Sequence, residues 1–149
     1  MRIAVLNGPN LNLLGVREPE LYGRTTLSQL ENGLAGVARD LGVSIECSQA
    51  NSEGALIDIV HGYRGRIDGA VVNLGAYSHT SLALRDALVG VNVPYVEVHV
   101  TNVYAREPER HHSMLASSAV GVVVGLGTQG YELALRGLVA SLGARDSAT

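Results

Sequence analysis

Hydrophobic positions along the chain alternate between short continuous runs and longer stretches of helical spacing. The continuous runs are Arg2-Ile-Ala-Val-Leu6, Val43 to Ser48, Gly69-Ala-Val-Val-Asn-Leu74, Tyr95 to Val100 and Ala119 to Val124. Each has the length of a strand buried on both faces. Between the first two, Leu27, Leu30, Leu34, Val37, Ala38 and Leu41 recur every three or four residues behind Thr26-Leu-Ser-Gln29, which has the form of a capping box, and stop at Gly42. Ser52 heads a second helix with apolar positions Leu56, Ile59 and Val60, ending near Gly62 to Gly65. Ser81 to Val89 and Tyr131 to Leu142 are predicted as further helices, and a short helical stretch is predicted around His112 to Ala116.

Strands alternating with helices predict a parallel sheet covered on both faces by right-handed crossovers. We read an α/β, flavodoxin-like, doubly wound five-stranded sheet of order 2-1-3-4-5, the order itself taken by analogy. It is expected to form a single domain over 1–149, with 1–143 as the ordered core and 144–149 as a frayed tail. In such folds ligands bind outside the carboxyl ends of the strands. That rule selects Asn7 to Tyr22, Asn73 to His79, His99 to Arg110 and Gly125 to Gly130.

The first of these segments is unusual. Most βα connections run about two to six residues, whereas roughly twenty residues rich in Gly, Pro and Asn separate the first strand from the first helix, the length of a lid or binding loop. Within it stand Arg17 and Tyr22. A phenol titrates near pH ~10, so it serves as a base near neutrality only beside a cation; otherwise Tyr22 anchors the loop by packing.

Composition narrows the chemistry. The formal charge of −3 and pI near 5.9 leave no footprint for nucleic acid or an anionic membrane. All 11 basic residues are arginine. Without lysine there is no Schiff base to a carbonyl substrate, no pyridoxal phosphate attachment and no phosphate-loop lysine. The single cysteine, Cys47, reads as a core residue and gives no thiolate metal spacing. No signal-peptide pattern opens the chain and no apolar run reaches about 18 residues, so a cytoplasmic protein is expected.

In the fourth strand Tyr95, Glu97 and His99 share one face while Val96, Val98 and Val100 take the other. Either Glu97 orients and charges His99, or the strand lies at a rim with its polar face wet. Asn73-Leu-Gly-Ala-Tyr-Ser-His-Thr-Ser81 offers an amide, hydroxyls and an imidazole at a helix start, suited to a carboxylate or to capping. Gly125-Leu-Gly-Thr-Gln-Gly130 matches GxGxxG but lacks the following strand with its acidic end, so close helix packing explains it better than a dinucleotide. Five histidines without His-x-x-x-His spacing predict no metal site.

Leu6-Asn-Gly-Pro-Asn-Leu-Asn-Leu-Leu-Gly15, Arg17-Glu-Pro-Glu-Leu-Tyr-Gly23, Asn73 to Ser81, Glu97-Val-His-Val-Thr-Asn102 and Arg110-His-His-Ser113 strongly resemble the type II 3-dehydroquinate dehydratases over nearly the whole chain. The resemblance implies a cofactor-free lyase of the shikimate pathway that converts 3-dehydroquinate to 3-dehydroshikimate by anti elimination through an enolate. It implies Tyr22 as the base, Arg17 as the lid cation favouring its phenolate, and His99 as the general acid oriented by Glu97. Asn12 matches the residue holding a water against the enolate oxygen. Asn73, His79 and Arg110 match hydroxyl contacts, the backbone at Val100 and Thr101 matches a carboxylate cradle, and Arg106 matches an arginine beside the tyrosine. Asp86 resembles a residue that serves a neighbouring subunit in a dodecamer of trimers. Val100-Thr101 replaces the family's frequent Leu or Ile then Ser, and Glu109 replaces an aromatic beside Arg110, where a carboxylate would pair with that arginine or repel the substrate's own. The rival reading is a flavodoxin-like regulatory or nucleotide-binding module; it wants paired acids after the first strand and a lysine after the fifth, and the chain has neither.

Overall fold

The five apolar runs form one all-parallel sheet in the order β2-β1-β3-β4-β5, made of β1 (Arg2–Asn7), β2 (Ser44–Gln49), β3 (Gly69–Asn73), β4 (Tyr95–His99) and β5 (Gly121–Val124). This is a computed structural model, and it describes residues 1–148. The helices are α1 (Pro19–Tyr22), α2 (Leu27–Leu41), α3 (Glu53–His61), α4 (Leu82–Val91) and α5 (Gln129–Ser147). Because side chains alternate along a strand, each central strand feeds two cores. Ala4, Leu6, Ala70, Val72 and Tyr95 pack with α3 and α4, whereas Ile3, Val5, Val71, Val96 and Val98 pack with α2 and α5. Cys47 borders the second core half-buried, and burial, with the Glu31 charge adding, pushes its thiol up to about 11.

The capping box of α2 forms as written: the Thr26 hydroxyl accepts from the Gln29 N–H at 3.2 Å and the Gln29 amide oxygen accepts from the Thr26 N–H at 3.0 Å. The helix ends at Gly42, whose φ of 71° suits a residue without Cβ. At the other end of the sheet, Gly125 has φ 86°, and a Cβ there would meet Asn102 at 3.0 Å. The loop it opens donates Gly127 N–H to the Val100 carbonyl at 3.0 Å, so it braces the end of β4. A Cβ on Gly130 would meet Val123 at 3.3 Å. Close approach thus accounts for Gly125 and Gly130, whereas Gly127 has open space around it and a φ of 65°.

Three local readings change. The 7–23 loop contains a 3-10 turn at Leu11–Leu13 and the single turn α1, begun by Pro19. Asn10 (φ 70°) and Glu18 (φ 41°) bend the chain before each, and Leu11 and Leu14 are buried beneath. Residues 112–116 form no helix; 3-10 turns stand at Pro108–Arg110 and Ala116–Ser118 instead. There the Ser113 hydroxyl captures the N–H groups of Leu115 and Ala116, both at 3.1 Å, which a helix would need. Finally, α5 continues to Ser147 through most of the segment read as a tail, and Thr149 lies outside the described residues. No helix among the described residues is long and apolar enough to cross a membrane.

Candidate active site

The carboxyl ends of β1, β3 and β4 surround one cleft, walled on the open side by the 7–23 loop. Strand β4 is paired on both edges, so its polar residues are not at a rim: Glu97 is 1% exposed and His99 6%. A buried carboxylate needs donors. Glu97 has the Ser113 hydroxyl on Oε1 and His99 Nε2 at 3.5 Å from Oε2. Since two backbone N–H groups already donate into Ser113 Oγ, its one proton has no other direction than Glu97. The carboxylate is thereby held against His99, which lines the cleft.

Tyr22, at the end of α1, faces this imidazole's cleft from the lid. Arg106 Nη1 donates to its phenol oxygen at 2.8 Å and to Thr101 Oγ1 at 3.2 Å. Arg17 and Arg106 lie 5.1 and 5.4 Å from the centre of the tyrosine ring. Arg17 also approaches Glu18 at 3.7 Å, whereas Arg106 makes the direct bond to the phenol. The His111 ring donates to the Arg106 carbonyl at 2.9 Å and steadies that arginine's backbone.

His79 stacks on His99 with centroids 5.6 Å apart. Its Nδ1 lies 2.8 Å from the His112 carbonyl, which can only accept, so Nδ1 carries a proton and Nε2 keeps a lone pair when the ring is neutral. Burial holds this imidazole below the usual range against the raising effect of that bond, with His99 and Arg110 also disfavouring its charge. Asn73 is 3% exposed at the cleft wall. Ser81 caps α4 by accepting from Leu84 N–H at 3.0 Å.

Over residues 1–139 the chain matches the family described as dehydroquinase class II. The chain belongs to the class II dehydroquinase family. It is 59% identical over 149 residues to the 3-dehydroquinate dehydratase of Gemmatimonas aurantiaca, covering 100% of this chain and 98% of the relative. It is 51% identical over 144 residues to a catabolic 3-dehydroquinase of Aspergillus oryzae, covering 97% and 94%. The type II dehydroquinase of Propionibacterium acnes has a similar structure, with a TM-score of 0.89 at 44% identity, covering 93% of this chain and 96% of that one.

In this class II dehydroquinase the cleft gathers Arg17, Tyr22, Asn73, His79, His99, Val100, Thr101, Arg106 and Arg110, with Glu97 behind His99. It does not gather Asn12, whose Oδ1 lies 3.4 Å from Gln49 Nε2; the asparagine on the wall is Asn10, two residues earlier. Arg110 pairs with Glu107 rather than with Glu109, because in the 3-10 turn a residue three positions back shares its face. That pairing draws the Glu107 carboxyl below its usual range. Asp86 is exposed on α4, in a hollow shared with His61 and Arg64 of the α3 side, away from the cleft. The sequence reading missed Asn10 and Ser113. Asparagine's tolerance of positive φ was the available signal for the first.

Proposed function

We propose that this chain dehydrates 3-dehydroquinate to 3-dehydroshikimate by anti elimination, with Tyr22 as base and His99 as acid. The observation that carries the reading is the opposition, in one cleft, of a phenol bonded to a guanidinium and an imidazole backed by a buried carboxylate. The phenolate removes the proton next to the substrate's ketone, and the C–H electrons move onto that oxygen as an enolate. The enolate then re-forms the ketone and expels the β-hydroxyl, which leaves as water with the proton from His99. Asn10, in place of Asn12, is positioned to hold a water against the enolate oxygen, an oxyanion-hole role. Asn73, neutral His79 and Arg110 meet the substrate's hydroxyls, and the backbone at Val100 and Thr101 receives its carboxylate. No cofactor is required.

An ultraviolet assay for the conjugated enone of the product tests this directly; absence of the new absorbance with pure protein and 3-dehydroquinate would overturn it. Activity should also survive borohydride with substrate and chelators, since the sequence offers no lysine to trap.

Asp86 cannot reach its own cleft from the outer face of α4, so its assigned role requires a second chain. We place it at a contact within a closed cytoplasmic homo-oligomer, a dodecamer of trimers. Asp86→Ala is expected to break the assembly or depress turnover. Light scattering alongside the assay decides, and a fully active monomer contradicts the placement.

A further inference from the structure

Tyr131 stands in the first turn of α5 with no exposed surface. Packing alone would be served by phenylalanine, yet the phenol is fully buried and hydrogen-bonded at both of its functions. It accepts from Asn73 Nδ2 at 2.8 Å and donates to Asn7 Oδ1 at 2.5 Å. Asn7 and Asn73 are register partners at the ends of β1 and β3, so one hydroxyl bridges two adjacent strand ends under the cleft.

The direction of these bonds is fixed from outside. Gly75 N–H is a backbone donor that cannot reverse, and it donates to Asn73 Oδ1 at 3.1 Å. The amide therefore turns Nδ2 toward Tyr131, and the phenol, having accepted there, spends its proton on Asn7. Asn7 keeps that orientation although its own Nδ2 has no protein partner among the described residues. What Asn73 has left is one N–H and one oxygen lone pair in a single plane at the cleft wall. That pair of functions matches a hydroxyl, which donates and accepts at once.

We propose that Tyr131 is a positioning residue for substrate recognition: through the Asn73 amide it fixes the donor and acceptor presented to a substrate hydroxyl. The proposal rests on the dehydratase reading, in which Asn73 meets such a hydroxyl. In Tyr131→Phe the ring remains, but Asn73 Nδ2 and Asn7 Oδ1 lose their partner, and the amide is held on its oxygen side alone, by Gly75 N–H. Neither Tyr22, Arg106, Glu97 nor His99 is bonded to Tyr131, so the proton-transfer groups stay as they are.

The test is a double-mutant cycle on the oligomeric enzyme with Tyr131→Phe, Asn73→Ala and the pair, read by steady-state kinetics across pH. Tyr131→Phe is expected to raise KM about tenfold, the scale of one buried hydrogen bond, with kcat and the pH profile little changed. In the Asn73→Ala background the same change should add less than about twofold, since its effect runs through the missing amide. Asn7→Leu keeps both ring and phenol but removes the proton's acceptor, so it should show the same KM rise even if Tyr131→Phe fails to fold. Multiplying effects in the cycle, a shifted pH profile, or wild-type KM in a folded Tyr131→Phe or Asn7→Leu would overturn the proposal. A wild-type protein without activity would instead overturn the dehydratase reading.

Discussion

Tyr22→Phe should lower turnover by about 10²- to 10⁴-fold while the protein folds as before. The ring packs beside the α2 and α5 core, and phenylalanine preserves that contact; only the oxygen is lost. Circular dichroism and the thermal midpoint should match the parent, which separates packing from chemistry. If the variant keeps substantial activity, Tyr22 is an anchor of the lid and no base. The two arginines sharpen the test. Arg17→Ala removes a cation over the ring, so the phenolate becomes harder to form and the rising limb of the pH–rate profile should move to higher pH. Arg106→Ala removes both a cation and the bond to the oxygen, and its effect should be at least as large. A shift to lower pH in either variant would contradict arginine activation.

His99→Ala should cost about 10²- to 10⁴-fold in kcat with KM changed far less, as expected when a general acid is removed and the other substrate contacts remain. Turnover near the parent value would remove His99 from the mechanism. Its neighbour offers an internal control. Ser113→Ala leaves the imidazole in place but takes the donor from Glu97, so it should lower kcat less than His99→Ala does.

The strands and the α2 cap were legible because their determinants are local: continuous apolar runs, three- and four-residue spacing, Thr26 with Gln29, and Gly42; the sheet order came by analogy with other doubly wound folds. The one-turn α1 was not, since four residues are too few to show a period. Of the site residues drawn from the resemblance, Arg17, Tyr22, Asn73, His79, His99, Val100, Thr101, Arg106 and Arg110 line one cleft, whereas Asp86 and Asn12 do not. Asn10 and Asn12 are the same residue type two positions apart, and the left-handed backbone at Asn10 decides between them. Glu107 and Glu109 both precede Arg110 closely in sequence, and the 3-10 turn decides which one pairs. Ser113 and Tyr131 were passed over for a different reason. Their hydroxyls find partners 16 and 124 residues distant, so nothing in their own segments marks them.

Arg106 grips the lid through Tyr22 and the rim of β4 through Thr101 with the same nitrogen. One guanidinium nitrogen therefore ties the 7–23 loop to the end of β4 at the very oxygen proposed as the base. On the proposed reading, parting α1 from the end of β4 would take the guanidinium from the phenol and leave the reacting groups unassembled. A compound that wedged between Tyr22 and Arg106 should then silence the enzyme by parting these two cleft walls, even where it resembles no substrate.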